Sequence, residues 1–474
     1  MKRTAVALSS LALFLASTGL QADSLRDIYE LALENDAQLK AEEATYLARR
    51  ETETLGRSAL LPQVSGSYSF QNQDSESTSE SVNFLEPGLP LQDLTRETDV
   101  DIEGYRFSLQ QALFDLPAWF SFQSGKEVTK EAEATFASNQ QNLIVRVIEA
   151  YLGVLRAQDN LAASRAQERA FERQLEQTQQ RFEVGLIAIT DVYEAQAARD
   201  LAQVERIEDE NDVQVALERL SVLTGQRHSN LNVLEEDFPI NPPEPIDRSA
   251  WVDFALANNF SLQATKFREE AARQTAKANK LEHAPKVAGS VEYLDFETEG
   301  SLDLDPQQDF IGPPDRDDEE TVWGVTLSMP LYTGGAISAN RRRAAQEFNA
   351  AREERINLTR NTVTQTRSLH MTVVSNVSRI AARAQSIVSS KSSLDATQAG
   401  YEVGTRNVVD VLNAQNTLFS AQRDYANSRY DYIINMMRLK EQAGLLSPAD
   451  VISLDSYLEI PPPPTASGSS GSGS

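Results

Sequence analysis

The chain has 474 residues and a formal net charge of −26, from 70 acidic and 44 basic side chains. Nucleic-acid phosphates require a basic protein face, so this charge argues against a nucleic-acid-binding protein. The absence of cysteine excludes disulfides and thiol chemistry. An acidic surface is equally consistent with attraction of cationic solutes and with simple solubility.

The N-terminus is typical of a secretory signal peptide. Lys2 and Arg3 precede a short apolar run that extends to Leu20, and a small residue stands before the expected cleavage site. We therefore expect residues 1–22 to be removed on export and the mature chain to begin near Asp23. No later segment approaches the ~20 apolar residues of a transmembrane helix, so entry into a membrane would require a β-barrel.

The next part of the chain predicts a helix followed by two strands. The apolar residues of Ser24 to Leu60 keep a period near 3.6 until Pro62 prevents continuation. Alternating side chains from Gln63 to Gln71, and again from Tyr105 to Leu109, predict strands of the kind that cross a membrane. The acidic segment between them, Asn72 to Glu103, is expected to be a solvated loop that faces outside the cell.

A very long helix and a hairpin tip follow. Trp119 to Phe182 contains no proline and few glycines, and its length at 1.5 Å per residue predicts a rod of roughly 100 Å. The stretch Phe182 to Gln196, FEVGLIAITDVYEAQ, interrupts the helix at a glycine and restarts it, so it predicts the tip of a helical hairpin. A shorter helix then returns to Gly225, a candidate C-cap.

The second half repeats this order, and its tip YEVGTRNVVDVLNAQ shares seven residues with the first tip. The repeated elements are a helix at Trp251 to Ala284, strands at Lys286 to Phe296 and Trp323 to Met329, an acidic loop at Glu297 to Glu320, a long helix at Ile337 to Tyr401, the tip at Tyr401 to Gln415 and a returning helix to Gly444. An apolar side chain recurs every seven residues along that returning helix, at Val411, Leu418, Tyr425 and Tyr432. This period favours a coiled coil over an ordinary amphipathic bundle helix.

These patterns divide the chain into five segments. They are a signal peptide at 1–22, a first structural repeat at 23–227, a proline-rich linker at 228–248, a second structural repeat at 249–446, and a C-terminal segment with a flexible tail at 447–474. Each repeat supplies only two strands, and four strands cannot close a sheet in lipid without unpaired edges. Single-chain barrels begin at eight strands, so closure requires two or three chains, whose helices would extend the wall as a conduit.

The order of these elements, the two EVG tips and the PLYTGG turn after the fourth strand resemble the TolC family of outer-membrane efflux and secretion channels. The resemblance covers essentially the whole mature chain. It implies a mixed fold of α-helices and membrane β-strands, with four strands per chain in a twelve-stranded trimeric barrel. Long coiled-coil α-helical hairpins would continue this barrel as a tunnel, and the two halves of the chain would form a two-fold internal repeat.

The function implied by the resemblance is that of an outer-membrane exit duct of a tripartite efflux pump or type I secretion system. Such a duct passes small molecules or proteins from the periplasmic end to the exterior of a Gram-negative bacterium. It needs neither a cofactor nor an enzymatic activity. The implied partners are two further copies in a homotrimer, a periplasmic adaptor, and an inner-membrane RND, MFS or ABC transporter.

The resemblance also assigns roles to tip residues, because links between the tips hold the periplasmic end of the tunnel shut. Tyr401 matches a tyrosine that hydrogen-bonds the aspartate of the other tip, here Asp191. Arg406 matches an arginine that reaches the neighbouring Thr190 and Asp191. The segments that would meet the adaptor are Val184, Gly185 and Leu186 on the first tip and Val403, Gly404 and Thr405 on the second. The two glycines would equally serve to permit the sharp turn.

Acidic side chains ring the aperture of these channels. Asp410 matches the first aspartate of the ring, whereas Asn413 stands where the second is expected. Glu194 lies one helical turn beyond Asp191, and we hypothesise that it replaces the missing charge. Three copies of Asp410 near one axis would favour cations. The alternative is that Asp191 and Asp410 only cap the returning helices.

Three other interpretations are weaker. The three histidines have no ligand-spaced partners, which argues against a metalloenzyme. The acidic segment 303–320 could suggest a calcium site, but it lacks the glycine and the ligand register of an EF-hand, which favours a solvated loop. The alternative function is a periplasmic structural coiled-coil or adaptor-type protein without its own pore. Adaptors use one hairpin and soluble β-domains, whereas this sequence has two hairpins and membrane-like strand pairs.

Overall fold

The computed structural model describes residues 23–81, 92–305 and 315–461. They form two compact units. The helical unit comprises the described residues of Met1–Thr45, Thr135–Leu262 and Leu358–Ser474, and the sheet unit comprises those of Tyr46–Ala134 and Gln263–Asn357. The predicted signal peptide and the predicted flexible tail beyond residue 461 lie outside the described residues.

The elements alternate between helices and strands along the chain. In order, they are α1 (Leu25–Asn35), α2 (Ala37–Ser58), β1 (Gln63–Ser81), β2 (Gln92–Phe114), α3 (Leu116–Glu183), α4 (Ile189–Thr224), β3 (Val233–Leu234), α5 (Arg248–Asn258), α6 (Phe260–Lys280), β4 (Lys286–Asp305), β5 (Arg316–Ser328), α7 (Ala336–Glu402), α8 (Val408–Gln442), α9 (Pro448–Asp455) and β6 (Leu458–Glu459). Within the described ranges, no helix combines the length and the apolar character needed to cross a membrane.

The sheet unit contains a four-stranded antiparallel sheet in the order β1, β2, β4, β5. Its register aligns one apolar residue of each strand in a single row, consisting of Val64, Leu109, Val291 and Trp323. All four side chains are exposed in the single chain. The four strands predicted from alternation are therefore confirmed, and their apolar residues share one face of the sheet. β1 and β5 form the two edges of this sheet.

The two acidic segments predicted as loops are largely strands, so that prediction was wrong. Within these segments β1 extends to Ser81 and β4 to Asp305, while β2 begins at Gln92 and β5 at Arg316. A strand ladder is made by backbone N–H and C=O groups, so it continues where the side chains are polar on both faces. Residues 82–91 and 306–314 of these segments lie outside the described part of the chain.

The first predicted helix of each half is interrupted at one polar residue. Asp36 separates α1 from α2, and its Oδ2 accepts a hydrogen bond from the N–H of Leu39 at 3.0 Å. Asn259 separates α5 from α6, and its Oδ1 accepts from the N–H of Leu262 at 2.8 Å. Both residues have extended backbone and cap a new helix. The prediction of a single uninterrupted helix before the first strand of each half was therefore wrong at these points.

The two long helices are confirmed, since α3 has 68 residues and α7 has 67. α4 and α8 return from the tips. α4 ends at the C-cap Gly225 with φ 73°, and α8 ends at Ala443, which is followed by Gly444 with φ 70°. L side chains rarely adopt positive φ, so glycine is the residue that allows the chain to leave each helix in this way.

The core of the helical unit surrounds Tyr151 of α3, which is completely buried. Its hydroxyl lies 2.9 Å from the carbonyl oxygen of Asn232 and 3.2 Å from that of Asp23, so the buried phenol is satisfied. Apolar residues of several helices and of the linker pack in the same cluster, among them Leu25, Ile28, Leu220, Leu231, Ile433 and Leu439. The linker and both ends of the described chain are therefore held by one core.

The proline-rich linker and the C-terminal segment contain structure that the sequence analysis missed. β3 lies in the linker and pairs with β6 near the end of the described chain. The ring of His228, also in the linker, lies 2.7 Å from Asp23 Oδ2 and 2.7 Å from Thr224 Oγ1. Strands of two residues and a helix of eight are too short for hydrophobic periodicity to indicate.

Candidate functional site

The two hairpin tips use the same turn. α3 ends at Glu183 and Gly185 follows with φ 77°, while α7 ends at Glu402 and Gly404 follows with φ 79°. A Cβ atom on either glycine would meet no atom of the described residues within 4 Å. The positive φ, and not a lack of space, is therefore what requires glycine at both tips.

A backbone hydrogen bond across five residues closes each turn. The N–H of Leu186 donates to the carbonyl of Arg181 at 2.9 Å, and the N–H of Thr405 donates to that of Gly400 at 2.8 Å. These bonds satisfy carbonyl groups that the end of a helix leaves without partners. At the second tip, Thr405 Oγ1 also donates to the Gly400 carbonyl at 3.0 Å. The tips are thus built turns with defined geometry.

The returning helices begin with different N-caps. Asn407 caps α8, because its Oδ1 accepts a hydrogen bond from the N–H of Asp410 at 2.8 Å. Ala188 precedes α4 and gives no side-chain cap. Asp191 and Asp410 each lie inside the first helical turn, so the alternative that they are the N-caps was wrong. Their carboxylates still lie at the positive end of a helix dipole.

Tyr401 lies in a small apolar core behind the tips. The residue is 8% exposed. The buried members of this tip core come from α3, α4, α7 and α8, and they are Phe171, Ala202, Tyr401, Val408, Val411 and Leu412. All four helices contribute side chains, so the two hairpins of the chain pack against each other near their tips.

The Tyr401 hydroxyl is buried and has no hydrogen-bond partner among the described residues. The guanidinium carbon of Arg181 lies 4.7 Å from the centroid of the tyrosine ring, in a cation–π arrangement. Both residues line a cavity of about 460 Å³ between the ends of α3 and α7. The structure therefore places Tyr401 against Arg181 and does not bring its hydroxyl into a hydrogen bond with Asp191.

The other tip residues pair locally. Arg406 lies 3.7 Å from Asp410, one turn along the chain. Thr190 Oγ1 lies 3.4 Å from Asp191 Oδ1. Within the described residues, no hydrogen bond or ion pair joins the Arg406 and Asp410 pair to the Thr190 and Asp191 pair. The structure thus brings each pair together without linking the tips.

The tip segments expected to meet an adaptor are exposed. Val184, Leu186 and Val403 are 70%, 69% and 75% exposed. Gly185, Gly404 and Thr405 between and beside them are exposed as well. Large apolar side chains grouped on an exposed tip are typical of an interaction surface.

The acidic residues of the predicted ring differ in exposure. Glu194 is exposed, as is Asn413, whereas Asp191 and Asp410 are partly buried. In the part of the chain that the structure describes, no group of three or more His, Asp or Glu side chains is arranged to hold a metal ion.

Two tip residues were missed by the sequence analysis. Asn407 could have been found, because an asparagine followed three residues later by Asp410 before an apolar run indicates an N-cap. Arg181 gave no comparable signal. Its counterpart in the repeat is Gly400, so comparison of the two tips did not single it out.

Proteins of known identity are similar to this chain in sequence or in fold. The family model described as outer membrane efflux protein matches residues 28–226 and 251–445. The chain is 34% identical over 462 residues to outer membrane protein TolC of Vibrio cholerae serotype O1, with 97% of this chain and 99% of that protein covered. It is 32% identical over 429 residues to the alkaline protease secretion protein AprF of Pseudomonas aeruginosa, with 90% and 85% covered. The crystal structure of the outer membrane protein VceC of Vibrio cholerae has the same fold, with a TM-score of 0.70 at 17% identity over 89% of this chain and 96% of that chain.

The family match and the relative at 34% identity define a channel protein of the outer membrane. The chain belongs to the outer membrane efflux protein family. It is an exit duct for efflux or type I secretion, located in the outer membrane and extending into the periplasm. Its relatives are channel proteins and not enzymes.

Proposed function

We propose that three copies of the chain form one duct that is gated at the helical tips. The observation that carries this proposal is the tip core, in which Tyr401 of the second hairpin packs with Phe171 and Ala202 of the first. Because both hairpins share this core, a change of contacts at one tip acts on both. Three chains arranged around one axis would place six such tips around the periplasmic end of the duct.

The sheet supports assembly from several chains. Its edge strands β1 and β5 have 19 and 13 residues, and an edge strand in lipid needs a partner for its outer backbone groups. Pairing of β5 with β1 of the next copy would satisfy both edges. Three copies would then give twelve strands, with the apolar row that contains Val64 and Trp323 facing lipid.

Closure of the gate requires tip residues to exchange partners. In the closed state Tyr401 donates to Asp191, and Arg406 reaches Thr190 and Asp191. These links replace the stacking of Tyr401 on Arg181 and the pairing of Arg406 with Asp410. A cation–π contact is worth roughly 0.5–2 kcal/mol and an exposed ion pair about 0–1 kcal/mol. A small free-energy difference therefore decides between the two arrangements, as a gate requires.

Asp410 and Glu194 supply the acidic ring of the aperture in this proposal. Asp410 is partly buried at the start of α8, and Glu194 is exposed on α4. Repeated around a three-fold axis, these carboxylates would attract cations and slow anions. Glu194 would thereby contribute the charge that Asn413 lacks.

The exposed tip residues Val184, Leu186 and Val403 are the proposed contact with a periplasmic adaptor. The adaptor would couple the duct to an inner-membrane RND, MFS or ABC transporter. A relative named for secretion of alkaline protease matches over most of its length, so the proposed cargo includes proteins as well as small molecules.

Mass in detergent and single-channel conductance in a planar bilayer test the proposal together. We expect a trimer whose small, cation-selective conductance rises in the double variant Tyr401→Phe, Arg406→Ser. Asp410→Ala and Glu194→Gln should each weaken block by multivalent cations, and Asn413→Ala serves as the matched neutral control. A monomer, or a trimer whose conductance and selectivity do not respond to these changes, would overturn the gate.

A further inference from the structure

Helices α4 and α7 lie at the two flanks of the helical bundle within one chain. α8 occupies the middle, where its Asp431 contacts Arg156 of α3 at 2.6 Å. On one side Arg423 of α8 pairs with Glu205 of α4, and on the other Asp424 contacts Arg383 of α7 at 3.6 Å. α4 and α7 therefore each turn one face away from the bundle of their own chain.

The outward face of α4 carries an apolar hollow with one acid and one base. The hollow has a volume of about 370 Å³ and is lined by Gln214, Val215, Glu218, Arg219 and Val222. All five residues are exposed in the single chain. Val215, Glu218 and Val222 follow one another at spacings of three and four residues, so they lie on one helix face.

The outward face of α7 carries a complementary cavity of about 720 Å³, which also reaches the start of α5. Its lining includes Met371 and Val374 as apolar residues, Arg367 and Arg248 as cations, His370, and Asp247 as one acid. His370 is only 6% exposed, and its Nε2 is buried without a hydrogen-bond partner among the described residues.

The hollow and the cavity lie at the same height along the bundle. The contacts of Glu205 with Arg423 and of Arg383 with Asp424 fix the register of the three helices. Counting residues from these contacts places Val215 of α4 level with Val374 of α7. In the same register, the α4 positions that line the hollow are level with Arg367, His370, Met371, Val374 and Ser375, all of which line the cavity.

We propose that the α4 hollow of one copy docks into the α7 cavity of the next copy, with Glu218 of the first copy pairing with Arg367 of the second. Rotation about an axis parallel to the bundle conserves height, so equal height within a chain brings these two faces together between chains. The contact is heterologous, and it closes into a ring when the rotation does. Val215 then covers Val374, and Val222 packs level with the aliphatic part of Arg367, which removes apolar surface from water. This inference rests on the trimer of the proposed function and adds the surfaces that hold it together.

The same register extends toward the tips and yields a second pair. Leu201 of α4 is level with Val388 of α7, and both side chains are exposed in the single chain. Val374 and Val388 are two heptads apart, so they share a helix face and are separated by about 21 Å. Equal height along the bundle thus predicts two matched pairs, Val215 with Val374 and Leu201 with Val388, and two mismatched pairs made by exchanging partners.

Disulfide cross-linking tests the pairs directly, because the full-length chain contains no cysteine of its own. Each of the four double-cysteine variants is purified in detergent, oxidised, heat-denatured and separated without reductant. We expect covalent trimers from Val215→Cys with Val374→Cys and from Leu201→Cys with Val388→Cys. The exchanged pairs and the four single variants should remain monomeric, since a disulfide requires Cα atoms within about 7 Å.

A charge swap tests the ion pair. Glu218→Arg and Arg367→Glu should each lower the temperature at which the trimer dissociates, and the double variant should recover most of the loss. If the dissociation temperature of the double variant falls by as much as the two single losses together, Glu218 and Arg367 do not form an ion pair.

The outcomes separate this inference from the proposed function. If the protein is trimeric by mass but the matched pairs fail to cross-link, the interface is wrong and the trimeric duct stands. If the exchanged pairs cross-link as well as the matched ones, the register is wrong. If the unmodified protein is a monomer, the proposed function itself fails.

Discussion

The guanidinium of Arg181 and the ring of Tyr401 hold the last turns of α3 and α7 together, at 4.7 Å between guanidinium carbon and ring centroid. Arg181 also accepts the turn-closing hydrogen bond from Leu186 through its backbone carbonyl. One residue therefore serves both the turn of the first tip and the packing of the second. Substitutions at this pair should therefore lower the local stability of the tips more than the stability of the whole fold.

The first prediction concerns the hydroxyl of Tyr401. Because this buried hydroxyl has no partner in the described residues, Tyr401→Phe should leave the local stability of the tips unchanged or slightly higher in an Asp191→Ala background, which lacks the acceptor proposed for the closed state. Tyr401→Ala removes the ring from the tip core and should cost about 3 kcal/mol. Hydrogen exchange of tip amides measures this, since 1.4 kcal/mol corresponds to a tenfold change in protection.

Arg181 provides the matched control for that measurement. Arg181→Gln keeps the turn-closing backbone hydrogen bond and removes the cation over the ring, so protection should fall by no more than roughly 1–2 kcal/mol. If Tyr401→Phe lowers protection as much as Tyr401→Ala does, the hydroxyl has a partner and the described packing of this residue is incorrect.

A second prediction concerns the break between α1 and α2. Asp36 is almost fully buried, caps α2 through Leu39, and contacts Arg146 at 2.7 Å. Asp36→Ala removes the cap and leaves the half-buried guanidinium unpaired, so unfolding free energy should fall by about 3–5 kcal/mol. Asp36→Asn keeps a capping oxygen, so its unfolding free energy should fall by less.

The second repeat supplies the control for this experiment. Asn259 caps α6 through Leu262, and its side-chain amide donates to the carbonyl of Gln442 at 3.0 Å. Asn259→Ala should therefore cost only about 1–2 kcal/mol, the loss of a neutral cap and one hydrogen bond. Denaturant unfolding followed by helical circular dichroism ranks the three variants, and equal losses at Asp36 and Asn259 would contradict the role given to Arg146.

These breaks show how far the sequence determined the fold in advance. The hydrophobic period, the proline positions and the repeated EVG tips correctly predicted the long helices, the hairpins and the four strands. Asp36 and Asn259 were passed over because a single polar residue barely disturbs a period of 3.6. Their capping geometry depends on ψ at one position, which only the structure reveals.

The remaining misses have a different physical cause. The outer halves of β1 and β2 are strongly polar, and their pairing depends on a backbone ladder that hydrophobic alternation does not report. The contact of Arg181 with Tyr401 joins residues far apart in the chain. Local pattern cannot predict such a contact, although it correctly placed both residues at the ends of long helices.

A third prediction concerns pH. Desolvation of the Asp159 carboxyl on α3 raises its pKa, while the hydroxyl of Tyr430 donates to it at 2.6 Å and opposes that rise. A carboxyl with a raised folded-state pKa binds a proton more readily when folded, so it destabilises the fold above that pKa. Asp159→Asn should therefore be more stable than the unmodified protein at pH 7.

This advantage should shrink as pH falls through the folded-state pKa toward about 4, where the unfolded carboxyl also becomes protonated. Thermal unfolding from pH 4 to pH 8 measures the difference. Asp395→Asn, which removes one carboxylate from α7, controls for the change in net charge. A difference between Asp159→Asn and the unmodified protein that is constant with pH would contradict the assignment.

A fourth prediction compares two glycines with equal space around them. A Cβ would meet nothing within 4 Å at either Gly153 or Gly404. Gly153 is inside α3, where alanine is the better helix former, so Gly153→Ala should stabilise the protein by up to about 1 kcal/mol. Gly404 has φ 79°, so Gly404→Ala should destabilise the tip by about 1 kcal/mol. Hydrogen exchange at the two sites gives the sign of each effect.

The last prediction separates gating from stability at Arg406. Its contact with Asp410 is 3.7 Å long and joins exposed or partly exposed side chains, so it contributes at most about 1 kcal/mol. Arg406→Ser should therefore leave tip protection in hydrogen exchange nearly unchanged. If the same variant raises single-channel conductance, the effect arises from loss of a closing link to Thr190 and Asp191. A rise in conductance that is matched by a tenfold loss of tip protection would instead mean that the tip has unfolded, and Arg406 would have no specific part in the gate.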